Sequence, residues 1–155
     1  MADFPPPPSD PVGPPPSNSP IFTLSPWSKR ALAYLIDAAP VVAAYIVAAV
    51  LDMIIGLGLF QTLVGLASLA YWVWNFYRQG LTGQTIGKGI IGIKVVKEAD
   101  ASLLGPGVSI GRGFLHMVMI VICCIPGIVN FLFPLWDQKR QTLTDKILTT
   151  VVIDV

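Results

Sequence analysis

A carboxylate, Asp37, stands inside an apolar run that opens with Lys29 and Arg30 and reaches Pro40 three residues later. A charged side chain in hydrocarbon costs several kcal/mol, so an acid at such a position serves a function or meets a buried partner. Pro40 lacks an N–H and frees the Ile36 carbonyl beside the acid. An acid next to a freed carbonyl in a kinked helix can hold a cation or a proton. The competing reading makes Asp37 an acceptor for Arg78, Arg112, His116, Asn75 or Asn130, fixing how helices pack. Arg30 and Asp37 share a helix face but lie about 10.5 Å apart along the axis, which strains a direct bridge.

His116, the one histidine, follows Arg112 by a helical turn. It is a candidate proton-relay residue or, more plainly, a hydrogen-bonded packing residue. A metal site is not expected, because no Cys/His spacing supports one. Gly87, Gly89 and Gly92 satisfy G-x-G-x-x-G. The pattern lacks a preceding strand in a βαβ unit and an acidic residue about 20 positions on, and Gly83 to Lys88 misses the P-loop spacing. These glycines therefore read as close-packing and turn positions, with Lys88 placed to meet lipid phosphates. No Ser/His/Asp or Cys/His set is present, so neither an enzyme nor a cofactor is expected.

These residues need a membrane scaffold to position them. The 155 residues are 54% hydrophobic and 12% charged, with a mean hydropathy of +0.69, where a soluble domain carries about a quarter charged residues. A net charge of +1, spread between apolar runs, leaves no field for nucleic acid. Cys123 and Cys124 are adjacent in an apolar run and read as small hydrophobes. The first residues show no cleavable signal, so the first membrane helix would serve for targeting.

Residues 1–26 hold every proline except Pro40, Pro106, Pro126 and Pro134. They read as a disordered, solvated leader; the functional alternative is a ligand for a proline-reading protein partner. Residues 27–155 form one domain, read as an all-α helical transmembrane bundle with a small two-strand β element. Helices are expected over 26–51, 59–78, 109–125 and 127–136, and strands over 91–97 and 148–154. Ser25 would cap the first helix with Pro26 at its first position, and Ser109 would cap the third.

The first two helices are expected to span the bilayer fully. Ala39 and Ala43, and Ala44 and Ala48, sit four apart, a spacing that lets another helix approach, so a homo-oligomer is a candidate partner beside the lipid bilayer. Tyr71, Trp72, Trp74, Phe76 and Tyr77 read as an interfacial belt. Arg78, Lys88, Lys94, Lys97 and Arg112 place the intervening loop and the N-terminus on the cytoplasmic side of a bacterial inner membrane. Pro126-Gly127 and Pro134 break the third run, which is either one kinked span or a re-entrant hairpin. If the two strands pair, both ends of that run lie on one side and the hairpin follows.

Three stretches carry a resemblance. KRALAYLID at 29–37, TGQTIGKGIIGIKVV at 82–96 and RQTLTDKILTTVVI at 140–153 resemble the signatures of the RDD family of small bacterial membrane proteins. The resemblance covers roughly 27–154. It implies a multi-span membrane domain, with ion or solute transport suggested, and singles out Arg30, Asp37 and Asp145. Gln84 and Lys88 in the central stretch, with Arg112, His116 and Asn130, are secondary candidates. Where many members have a histidine before the last aspartate, this chain has Thr144, so no role of that histidine carries over. Asp145, on the same side as Arg30 in this topology, becomes its natural partner. A non-transporting scaffold that recruits a partner through the leader and the cytoplasmic loop is the alternative function.

Overall fold

The computed structural model describes residues 23–122 and 124–155; most of the proline-rich leader, and Cys123, lie outside it. Two long helices come first, α1 (Trp27–Ile55) and α2 (Leu59–Thr82), followed by a short α3 (Ile86–Ile91) and strand β1 (Ile93–Lys97). Then come α4 (Pro106–Ile122), α5 (Cys124–Leu132), a 3₁₀ turn at Phe133–Leu135, the short α6 (Leu143–Ile147) and strand β2 (Thr150–Asp154).

Pro26, not Ser25, is the N-cap of α1 and carries no side-chain cap. Ser25 is instead drawn into the sheet, its N–H donating to the Val152 carbonyl at 2.9 Å. Pro40 sits inside α1 without ending it. Asp52, in the last turn of α1, accepts from the Phe60 and Gln61 N–H groups at 3.0 and 2.9 Å. That carboxylate satisfies the open first turn of α2 and closes the α1–α2 corner.

By length and composition, α1 is the described helix able to cross a membrane. The expectation of a second full span is not met on that measure: α2 has the length, but Gln61, Asn75, Arg78 and Gln79 dilute it. Large apolar side chains nevertheless stand outward on both, such as Leu35, Ile46, Met53 and Leu66. A contiguous apolar surface of this kind marks a lipid or protein contact.

β1 and β2 pair antiparallel with Ile93 opposite Asp154 and Lys97 opposite Thr150. The segment just before α1 lies along the other edge of β2, through a Leu24–Ile153 bridge and an Asp154 N–H donating to the Thr23 carbonyl at 3.0 Å. The apolar core sits here: Ala33, Ile93, Val95, Leu104 and Val152 are buried together.

Because both strands share one sheet, the chain between them must return on itself. It does so as two helices, α4 and α5, packed on each other. Pro126 falls in the first turn of α5, where no N–H partner is needed, and Pro134 lies in the 3₁₀ turn. Ser109 does not cap α4, which starts at Pro106; it is a buried residue within the helix.

Candidate functional site

The two short helices missed by hydrophobic periodicity build the site. α3 begins with three N–H groups that need partners, and each finds a side chain. The Ile86 N–H donates to Asn75 Oδ1 at 3.0 Å, the Gly87 N–H to Asp37 Oδ1 at 2.7 Å, and the Lys88 N–H to Thr85 Oγ1 at 3.2 Å. Asn75 Nδ2 also donates to Asp37 Oδ1, at 3.0 Å. Of the five partners proposed for Asp37, the structure supplies Asn75, and the Gly87 backbone joins it. Docking is close: a Cβ at Gly87 would stand 2.0 Å from the Ala33 carbonyl oxygen. Gly92, at φ +74°, then turns the chain out of α3 into β1.

Held there, Lys88 reaches across to α2, its ammonium donating to Gln79 Oε1 at 2.6 Å. Gln79 Nε2 in turn donates to Ser109 Oγ on α4 at 3.0 Å. Burial pushes the Lys88 ammonium down to about 7; the Arg112 guanidinium adds to that push, while Asp145 and Asp37 oppose it.

α6 opens with a capping box in which Thr142 Oγ1 accepts from the Asp145 N–H and the Asp145 carboxylate accepts from the Thr142 N–H. The same carboxylate, with no exposed surface, takes Arg112 through Nη2 at 2.6 Å and Nε at 3.0 Å, and Arg30 through Nη1 at 3.3 Å. Thr150 Oγ1 adds a further bond at 3.0 Å. Burial alone would push this carboxyl up; Arg112 first, then Arg30 and the Thr142 N–H, hold it down at about 2. One carboxylate thereby ties α1, α4, α6 and β2 into a single arrangement.

His116 and Asn130 face each other across the α4–α5 turn, Nδ1 to Nδ2 at 2.8 Å. Asn130 Oδ1 already accepts from the Thr144 N–H at 3.0 Å. Its amide nitrogen must therefore donate, and His116 Nδ1 must accept, which places the ring proton of a neutral imidazole on Nε2. Thr144 occupies the position of the absent histidine and serves this network through its N–H and hydroxyl.

These groups surround a cavity of about 120 Å³, lined by Arg30, Asp37, Lys88, Arg112 and His116 among others. Trp72 and Phe76 form part of its wall, whereas Trp74 and Tyr77 stand outward, so the expected aromatic belt is divided between the cavity and the surface. Of the candidates, Asp145, Asn130 and Gln84 do not line it; the first two hold lining residues in place, and the Gln84 amide donates to the Ile93 carbonyl at 3.1 Å and supports the strand. Gln79, Ser109, Thr85 and Thr142 were missed from the sequence, since neutral polar residues in helices and loops carry no signal of their distant partners. Among the described residues no group of three or more His, Cys, Asp or Glu could hold a metal ion.

Residues 24–149 match the RDD family, a span that takes in Asp145 and every residue lining the cavity except Val152. The chain belongs to the RDD family. Members of this family are membrane-associated, in keeping with the apolar α1. The proline-rich antigen of Mycobacterium leprae is 38% identical over 164 aligned positions, covering 83% of this chain and 60% of that protein. The proline-rich antigen homolog of Mycobacterium tuberculosis is 48% identical over 98 positions, covering 63% of this chain and 39% of the relative. The chain thus spans 60% or less of the length of these curated relatives. No solved structure matches it.

Proposed function

We propose that this RDD domain binds a small ion or polar solute in the cavity and passes it across a bacterial inner membrane, without catalysing a reaction. The observation that carries the reading is Asp37. It is 3% exposed and lines the cavity. Oδ1 is engaged by Asn75 and Gly87, while Oδ2 makes no hydrogen bond to the described residues. An acid used only to fix packing would have both oxygens occupied; one left toward a cavity is available to a mobile partner. The cationic side chains Arg30, Lys88 and Arg112 line the same cavity. α1 and α2 would span, and α4–α5 would enter and leave on the side of the sheet. In proteoliposomes, coupled flux of some ion or solute is expected from the wild type and a loss of at least tenfold in Asp37→Asn. Full flux in that variant, or none from the wild type across a broad panel, sinks the idea.

A scaffold role has its own support. Residues 23–25 are held on the edge of β2, and the Arg140 guanidinium donates to the Leu24 carbonyl at 3.0 Å. The proline-rich leader therefore departs from a fixed point beside the sheet, as suits a segment presented to a partner. Deleting residues 1–22 without changing what co-purifies would count against that role.

A further inference from the structure

One residue lining the cavity, Arg30, carries an unmet donor. The Arg30 side chain is 9% exposed and its Nη1 and Nη2 are used on Asp145 and the Val152 carbonyl. Its Nε is buried and has no hydrogen-bond partner among the described residues. A buried guanidinium N–H without an acceptor is costly, and Arg is the side chain whose donor fork suits phosphate and carboxylate oxygens. Arg30, Lys88 and Arg112 line the cavity with one carboxylate, Asp37, while Asp145, which does not line it, is already consumed by the two guanidiniums. Hydroxyls of Thr85, Thr142 and Thr144 complete the polar lining.

One more acceptor than an ordinary anion could tolerate is present, namely Asp37 Oδ2. An oxyanion with all its oxygens bare would meet this carboxylate as a like charge. An oxyanion that still carries a proton would donate to it, while its remaining oxygens accept from Arg30 Nε and the Lys88 ammonium. We infer that the cavity selects a protonated phosphate group, either inorganic phosphate or the monoester headgroup of a lipid such as phosphatidic acid. This rests on the cavity being the solute site proposed above and names its occupant. Phosphate retains a proton near neutral pH and sulfate does not, so the two ions, alike in size and shape, are told apart by one hydrogen bond. Sites that depend on such a bond reject the analogue lacking it by large factors.

The chain's single histidine lines the cavity and reports on it. With histidine labelled in ¹⁵N and the full chain in phosphatidylcholine nanodiscs, the His116 signal is followed while phosphate, sulfate, sodium or potassium is added, and in separate discs containing phosphatidic acid or phosphatidylglycerol. A saturable shift with phosphate, at least 100-fold weaker with sulfate, is expected. A shift with phosphatidic acid alone, and not with the diester phosphatidylglycerol, supports the same chemistry with lipid as the source. Lys88→Gln should weaken the effect at least tenfold. Asp37→Asn should erase the preference for phosphate over sulfate; if that variant does not fold, the wild-type preference still decides. Equal response to phosphate and sulfate overturns the proton-donor assignment. A shift with cations only overturns the inference and leaves the solute site standing. Silence toward every solute and lipid removes both.

Discussion

Replacing Asp145 by Asn tests how much of the fold hangs on one carboxylate. The wild-type group is fully buried and accepts from Arg112, Arg30, Thr142 and Thr150. Its carboxyl lies at about 2 against an ordinary 3.8, which corresponds to about 2 kcal/mol in favour of the ionised form. Asn removes that preference and also leaves two guanidiniums without their counter-ion, and breaking a buried pair from one side costs about 3–5 kcal/mol. The expected loss is therefore about 3–5 kcal/mol, a large share of a typical total of about 5–15 kcal/mol. It can be measured by SDS-driven unfolding in mixed micelles, followed through tryptophan fluorescence. Because the folded carboxyl lies below its unfolded value, its contribution is complete above about pH 4 and fades as pH falls through about 2. Asp145→Asn should lack that acid limb. Adding Arg112→Gln to Asp145→Asn should recover part of the loss, since it removes one of the stranded charges. A cost below about 1 kcal/mol for the single variant would refute the claim that this carboxylate organises the site.

Other consequences follow from the docking of α3. Asp37→Ala strips the acceptor from the Gly87 N–H and Asn75 Nδ2 and should cost about 2–3 kcal/mol in the same assay. Gly87→Ala forces a methyl onto the Ala33 carbonyl; a loss of about 1–3 kcal/mol, with faster hydrogen exchange across residues 86–91, is expected. Lys88 donates to Gln79 on α2 and is under the influence of Arg112 on α4, Asp145 on α6, and Asp37 and Arg30 on α1. Its folded value, about 7, lies below its ordinary 10.5, so the unfolded chain binds the extra proton between these values and stability should rise as pH increases from 7 toward 10. Lys88→Gln should flatten that rise in a pH series of unfolding midpoints.

The strongly patterned parts of the chain were legible before any coordinates. α1 announces itself by composition, β2 by its β-branched run, and the buried face of β1 by Ile93 and Val95. Arg30 and Asp145 were proposed as partners from a topological argument, and they stand 3.3 Å apart. What escaped notice is short or neutral. α3 has six residues and α6 five, less than two turns each, so no periodicity can build up. α6 does carry a local signal in its capping box, Thr142 with Asp145 three positions on. The first turn of α3 is completed by Asn75 and Asp37, which lie 11 and 50 positions away in sequence, and no local rule reaches that far. Among the described residues α1 alone is long and apolar enough to cross a membrane, while α2 turns its polar residues Asn75 and Gln79 inward to serve the site.

Whether solute enters the cavity can be asked directly with a cysteine at Thr85, a cavity residue 3% exposed, in a chain whose own Cys123 and Cys124 are changed to Ser. Small methanethiosulfonate reagents are applied to sealed proteoliposomes of known orientation. A water-filled, cationic cavity should allow labelling from the face bearing the sheet, faster with a sulfonate reagent than with an ammonium reagent, and slowed by the bound solute. No labelling from either face until the protein is unfolded would contradict a cavity open to solute and return Asp37 to a purely structural role.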